Sequence, residues 1–106
     1  MCETIVLSKK ASAVISYCKC CSVIYIWHHN LMLSFEYDQF EAFRNFTEEV
    51  DYEELTYPFP DGTERIILRT PNRDINFTFS VDEWHSFRQA MDEALYMREV
   101  YMLIDK

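Results

Sequence analysis

Glycine is almost missing: Gly62 is the single one in 106 residues. Phosphate-cradling loops, dinucleotide fingerprints and nucleophile elbows each need several glycines, because their backbone turns sharply or approaches a phosphate or reacting group closely. Those enzyme classes are excluded. Basic residues are scarce as well, ten against eighteen acidic, for a formal net charge of −8. Nucleic acid and anionic membrane surfaces call for clustered Lys and Arg that displace counterions from phosphates, and Lys9-Lys10 is the sole adjacent basic pair. Neither is expected as a partner. No apolar run approaches the ~20 residues that span a bilayer. The opening Met1-Cys2-Glu3-Thr4 has no basic start of a secretory leader, so a cytoplasmic location is expected. In that setting the sequons at Asn45-Phe46-Thr47 and Asn76-Phe77-Thr78 carry no glycan.

Apolar and aromatic residues are what the chain has in quantity: 49% hydrophobic, with 8 Phe, 7 Tyr and 2 Trp. That is enough for one real core, and residues 1–106 are read as a single domain. Residues 3 to 8 and 12 to 17 alternate apolar and polar around a turn at Lys9-Lys10. Ser22 to Trp27 is a β-branched and aromatic run typical of a buried strand, and Leu31 to Phe35 follows the turn His28-His29-Asn30. These four make an antiparallel meander.

From Tyr37 the period lengthens. Tyr37, Phe40, Phe43, Phe46 and Val50 fall near one face of a helix of about fourteen residues. Asp51 to Thr63, with two prolines and the glycine, is expected to be a loop. Glu64–Thr70 and Asp74–Phe79 form a second hairpin across Pro71-Asn72. Ser80-Val81-Asp82-Glu83 is a capping box opening a long helix to near Tyr101, with Trp84, Phe87, Ala90, Met91, Ala94, Leu95 and Met102 toward one face. The expected fold is therefore α+β: an antiparallel sheet of about six strands with two helices on one face. Residues 1–50 and 51–106 also match at an offset of 44, Phe35 with Phe79, Phe40 with Trp84 and Phe43-Arg44 with Phe87-Arg88. A strand-helix repeat would predict a pseudo-symmetric sheet, although any strand-to-helix unit shares part of this pattern.

Cys2, Cys18, Cys20 and Cys21 are the clustered groups with chemistry. Cys18-Lys19-Cys20-Cys21 contains the C-x-x-C spacing that turns two thiolates toward one tetrahedral cation. A hairpin turning at Lys9-Lys10 lays Cys2 beside Cys18, so Cys2, Cys18 and Cys21 are the candidate metal ligands, with zinc as the cofactor. Cys20, squeezed between two others, is left out. A fourth ligand is not identified, since His28 and His29 lie about 20 Å along the next strand. Plain reduced thiols and a redox pair remain as alternatives.

The early cysteine Cys2, the Cys18-x-x-Cys21 pair, the strand Asn30-Leu31-Met32-Leu33-Ser34-Phe35 and the helix start Gln39-Phe40-Glu41-Ala42-Phe43 resemble a family of small uncharacterised proteins from Bacteroidota-type bacteria. This chain departs from that pattern at His28-His29, where a glycine is expected, and at Ser22 after the cysteines. The resemblance implies a lineage and no activity.

His28-His29 is read as a polar hairpin tip and His85 as a surface group. Glu48-Glu49 and Glu53-Glu54 are read as solvated, because paired catalytic carboxylates need a pocket that separates their pKa values. The apolar end of the long helix calls for cover, and a second copy of the chain is the expected cover. The function favoured by the sequence is a binding or adaptor module, making protein-protein contacts through an acidic, aromatic surface. A zinc-stabilised or thiol-bearing regulatory domain is the alternative. An enzyme with Cys18 or Cys21 as nucleophile is the least favoured reading.

Overall fold

A computed structural model describes residues 3–104. The chain runs β1 (Thr4–Lys10), β2 (Ala13–Cys18), β3 (Val23–His28), β4 (Leu31–Glu36), α1 (Tyr37–Glu49), β5 (Thr56–Pro58), β6 (Glu64–Arg69), β7 (Asn76–Phe79) and α2 (Val81–Ile104). The α+β class and the antiparallel pairing are as expected. The single six-stranded sheet is not formed: β1-β2-β3-β4 make one sheet and β5-β6-β7 another.

Alternation assigns the faces of the first sheet. Tyr17–Ile24–Phe35, Ile15–Ile26–Leu33 and Ala13–His28–Leu31 form cross-strand rows on the inner face. Both helices cover this face. Phe43 of α1 stacks on Phe35 with ring centroids 5.2 Å apart, and the buried Ser8 hydroxyl of β1 donates to the Ala90 carbonyl of α2 at 2.7 Å. The second sheet turns Ile66, Leu68, Phe77 and Phe79 into the same core. There Phe79 and Phe87 approach to 4.6 Å.

The first hairpin differs in register from the sequence expectation. Lys9 and Lys10 are strand residues, and the chain turns at Ala11-Ser12, with Ala11 in left-handed backbone at φ 51. A bulge between Val6 and Ser8 shifts the pairing again, so Cys18 lies opposite Thr4. The expected pairing of Cys2 with Cys18 falls on Cys2, which lies outside the described residues. Lys-Lys marks a charged strand end as readily as a turn, and polarity alone does not separate the two.

Other corrections are smaller. β5 occupies part of the expected loop, pairing Thr56 with Ile66. Phe46 is exposed, and Thr47 takes its place in the core, its hydroxyl donating to the Arg44 carbonyl. α2 runs one turn beyond Tyr101, and Met102 is exposed. The positions matched at offset 44 are buried alike, Phe35 with Phe79, Phe40 with Trp84 and Phe43 with Phe87. No shared pseudo-symmetric sheet accompanies that match, because β4 and β7 belong to separate sheets.

The capping box at α2 is present in full. Glu83 N–H donates to Ser80 Oγ at 3.3 Å and Ser80 N–H donates to Glu83 Oε1 at 2.9 Å. Ser80→Ala should lower stability by about 1 kcal/mol in urea unfolding, the usual cost of losing such a cap. A variant with the parent's midpoint would show that α2 starts without it.

Candidate functional site

Cysteines converge at the turn between β2 and β3. Cys18, the last residue of β2, is held by pairing with both Thr4 and Val23 and is buried. The chain then reverses over residues 19–22, with Ser22 left-handed at φ 56, which curls exposed Cys20 and Cys21 back toward Cys18. The Cys18 and Cys20 sulfurs are 3.7 Å apart, and the sulfurs of Cys18, Cys20 and Cys21 all lie within 4.8 Å of one another. Two of the three expected ligands, Cys18 and Cys21, are therefore together. The third member is Cys20, which sequence reasoning set aside, because a hairpin turn overcomes the splay that consecutive residues show in an extended chain. The Cys-x-Cys-Cys run between two strand patterns was the available signal.

Cys20 is disulfide-bonded, whereas Cys18 and Cys21 are in the thiol state. The hydrogen bond with Cys18, then burial and the Cys18 charge, push the Cys21 thiol above its ordinary value. That is opposite to the depressed pKa of a thiolate nucleophile and weighs against Cys21 as one.

A second cluster joins His28, His29 and Glu83, whose ligand-type atoms lie within 4.8 Å of one another. His28 is not the exposed hairpin residue expected; it is 6% exposed. Its Nε2 lies 3.1 Å from the Thr78 carbonyl and its Nδ1 lies 3.2 Å from the Ser12 hydroxyl. A carbonyl only accepts, so Nε2 carries the proton and Nδ1 of the neutral ring accepts from Ser12. Burial, the largest influence, lowers the His28 pKa. His29 Nε2 meets Glu83 Oε2 at 2.7 Å. Burial pushes the Glu83 carboxyl up, but hydrogen bonds from Ser80 and His29 outweigh it and hold the group below its ordinary value. With both His28 nitrogens engaged and Glu83 capping α2, this cluster is a clasp between the two sheets.

The third feature is a cleft of about 630 Å³ between the end of α1 and the second sheet. Phe46 and Tyr57, both exposed, line it together with Glu49, Asp51, Glu54 and Arg69. Phe46 follows the helical period yet faces this cleft, which is why it is absent from the core. His85 is at the surface, as expected.

Among the described residues no helix is long and apolar enough to cross a membrane. No curated protein and no solved structure matches the chain. A protein family does match, over residues 1–104, and it is described as a family of unknown function (DUF6686). The resemblance to an uncharacterised family thus holds over nearly the whole length, and the chain belongs to that family.

Proposed function

We propose that this protein is a small binding module that docks a partner protein in the cleft beside α1, in a cytoplasmic setting. The observation that carries this reading is the chemistry of the cleft: two exposed aromatic rings beside the carboxylates of Glu49, Asp51 and Glu54. Exposed rings supply contact area at low entropic cost, and carboxylates at the rim select a basic segment and speed its encounter. The partner is thus a protein segment presenting Lys or Arg beside apolar side chains. Phe46→Ala should weaken binding of a partner captured from the native cell by about 2 kcal/mol, or roughly 30-fold. Neutralising Glu49, Asp51 and Glu54 together should mainly slow association and flatten its salt dependence. A partner whose affinity ignores both changes would defeat the reading.

Self-association belongs to the same proposal. Met102, Leu103 and Ile104, at the end of α2, are 43%, 71% and 68% exposed, an apolar turn suited to covering by a second copy. Sedimentation velocity should find a dimer for the native chain and a monomer for Leu103→Glu. Identical monomeric behaviour of the two would remove the oligomer.

The three convergent sulfurs favour a second reading, a zinc-stabilised or thiol-bearing regulatory domain.

A further inference from the structure

We propose that the β2–β3 turn is a redox-gated site for one thiophilic d¹⁰ cation of the Zn²⁺ class, held by Cys18, Cys20 and Cys21. The inference rests on the second reading above and specifies its ligand set and its control. Two thiolates at about 2.3 Å from a tetrahedral Zn²⁺ stand about 3.8 Å from each other. Cys18 and Cys20 are already 3.7 Å apart, and all three sulfurs lie within 4.8 Å, so the set closes on a cation with small side-chain movements. Pairing on both sides anchors Cys18, while Cys20 and Cys21 ride on an exposed turn open to an arriving ion. Water or a small exogenous thiol fills the fourth position.

Charge supplies the driving force. Three thiolates within 4.8 Å of one another repel. A divalent cation removes that penalty, each bound thiol releasing its proton to solvent. The histidine cluster offers no comparable site, because both His28 nitrogens and His29 Nε2 are committed to Ser12, Thr78 and Glu83.

The gate is the oxidation state of Cys20. A disulfide sulfur is not a thiolate, so the ligand set is incomplete while Cys20 is disulfide-bonded. A dithiol reductant supplies two electrons and two protons, cleaves the S–S bond to two thiols and is itself oxidised to a disulfide. Zn²⁺ then displaces the protons of Cys18, Cys20 and Cys21. A small-molecule disulfide oxidant accepts the two electrons by thiol–disulfide exchange and leaves as two thiols, which re-forms the S–S bond at Cys20 and expels the ion.

The test uses the full chain purified without a histidine tag. Protein reduced with dithiothreitol and desalted anaerobically is titrated with Zn²⁺ against a chromogenic chelator, and with Co²⁺ to read thiolate charge-transfer absorption. The reduced protein should take up one equivalent, and the oxidised protein none. Cys21→Ser, at an exposed position that leaves folding intact, should weaken uptake by roughly 100-fold or more, since loss of even an outer support of a metal site costs 10–100-fold. Equal binding by oxidised protein, or by Cys21→Ser, overturns the inference. Reversible oxidation of the thiols without metal uptake also overturns it, while sparing the thiol-regulatory reading; loss of both responses sinks the two together.

Discussion

Truncating Phe87 to Ala should lower the unfolding free energy by about 3–5 kcal/mol, through lost burial and the cavity left behind. Phe87 is fully buried between α1 and the second sheet. Its ring lies 6.5 Å from Phe43 of α1, 5.7 Å from Phe77 and 4.6 Å from Phe79 of the second sheet, and 6.3 Å from Trp84 one turn earlier. Aromatic pairs of this kind add about 0.5–1.5 kcal/mol beyond area burial, so the site has little with which to refill the space. Urea unfolding monitored by circular dichroism measures the loss. A decrease under about 1 kcal/mol would mean that this helix face does not pack against α1 and the second sheet.

His28→Leu should cost about 1–3 kcal/mol, because it leaves the Thr78 carbonyl and the Ser12 hydroxyl without their partner. The same variant should lose a pH dependence that the native protein shows. Burial depresses the folded-state pKa of His28 below its ordinary value of 6.5. Between those two values the unfolded chain binds more protons than the folded one, so stability rises with pH. The His28 contribution is therefore fully present above about pH 6.5 and is lost as pH falls through the folded value. Glu83 responds separately: its folded pKa is lowered from 4.5, so its contribution is present above that value and fades in more acidic solution. Chemical denaturation at several pH values from 7.5 down to about 5 separates the two groups. A native profile identical to that of His28→Leu across this range would show that His28 is solvated.

The candidate sites divide in the same way as the fold. The acidic, aromatic composition of residues 51–63 was visible in the chain, but that Phe46 leaves the core to line a cleft with part of that segment was not. One position off a helical face is within the tolerance of a 3.6-residue period, and only the neighbouring strand β5 determines which ring is covered. His28 shows the reverse. Beside His29 and Asn30 it has the composition of a hairpin tip, yet alternation along β3 places it on the same side as Ile24 and Ile26. Counting by twos from those residues would have predicted its burial.

By itself the sequence determined the elements whose signals are local. Alternation marked β1 and β2, a β-branched and aromatic run with the turn after it marked β3 and β4, three- and four-residue spacing marked α1 and α2, and Ser80 with Glu83 marked the start of α2, because pleat, helical period and cap chemistry act over a few residues. The single glycine and the acidic balance likewise set, from composition alone, the expectation of neither glycine-rich phosphate loops nor nucleic-acid partners. Tertiary structure decided whatever depended on partners far along the chain. Which strand edges pair was settled by packing around Phe43, Phe77, Phe79 and Phe87, giving two sheets where local pattern allowed one. The position of the first turn and one bulge set Thr4 opposite Cys18, and a one-residue slip in such a ladder reverses every side chain. The convergence of Cys18, Cys20 and Cys21 and the clasp of His28 on Thr78 are of the same kind: close in space through chain reversal and sheet packing, neither of which a linear spacing records.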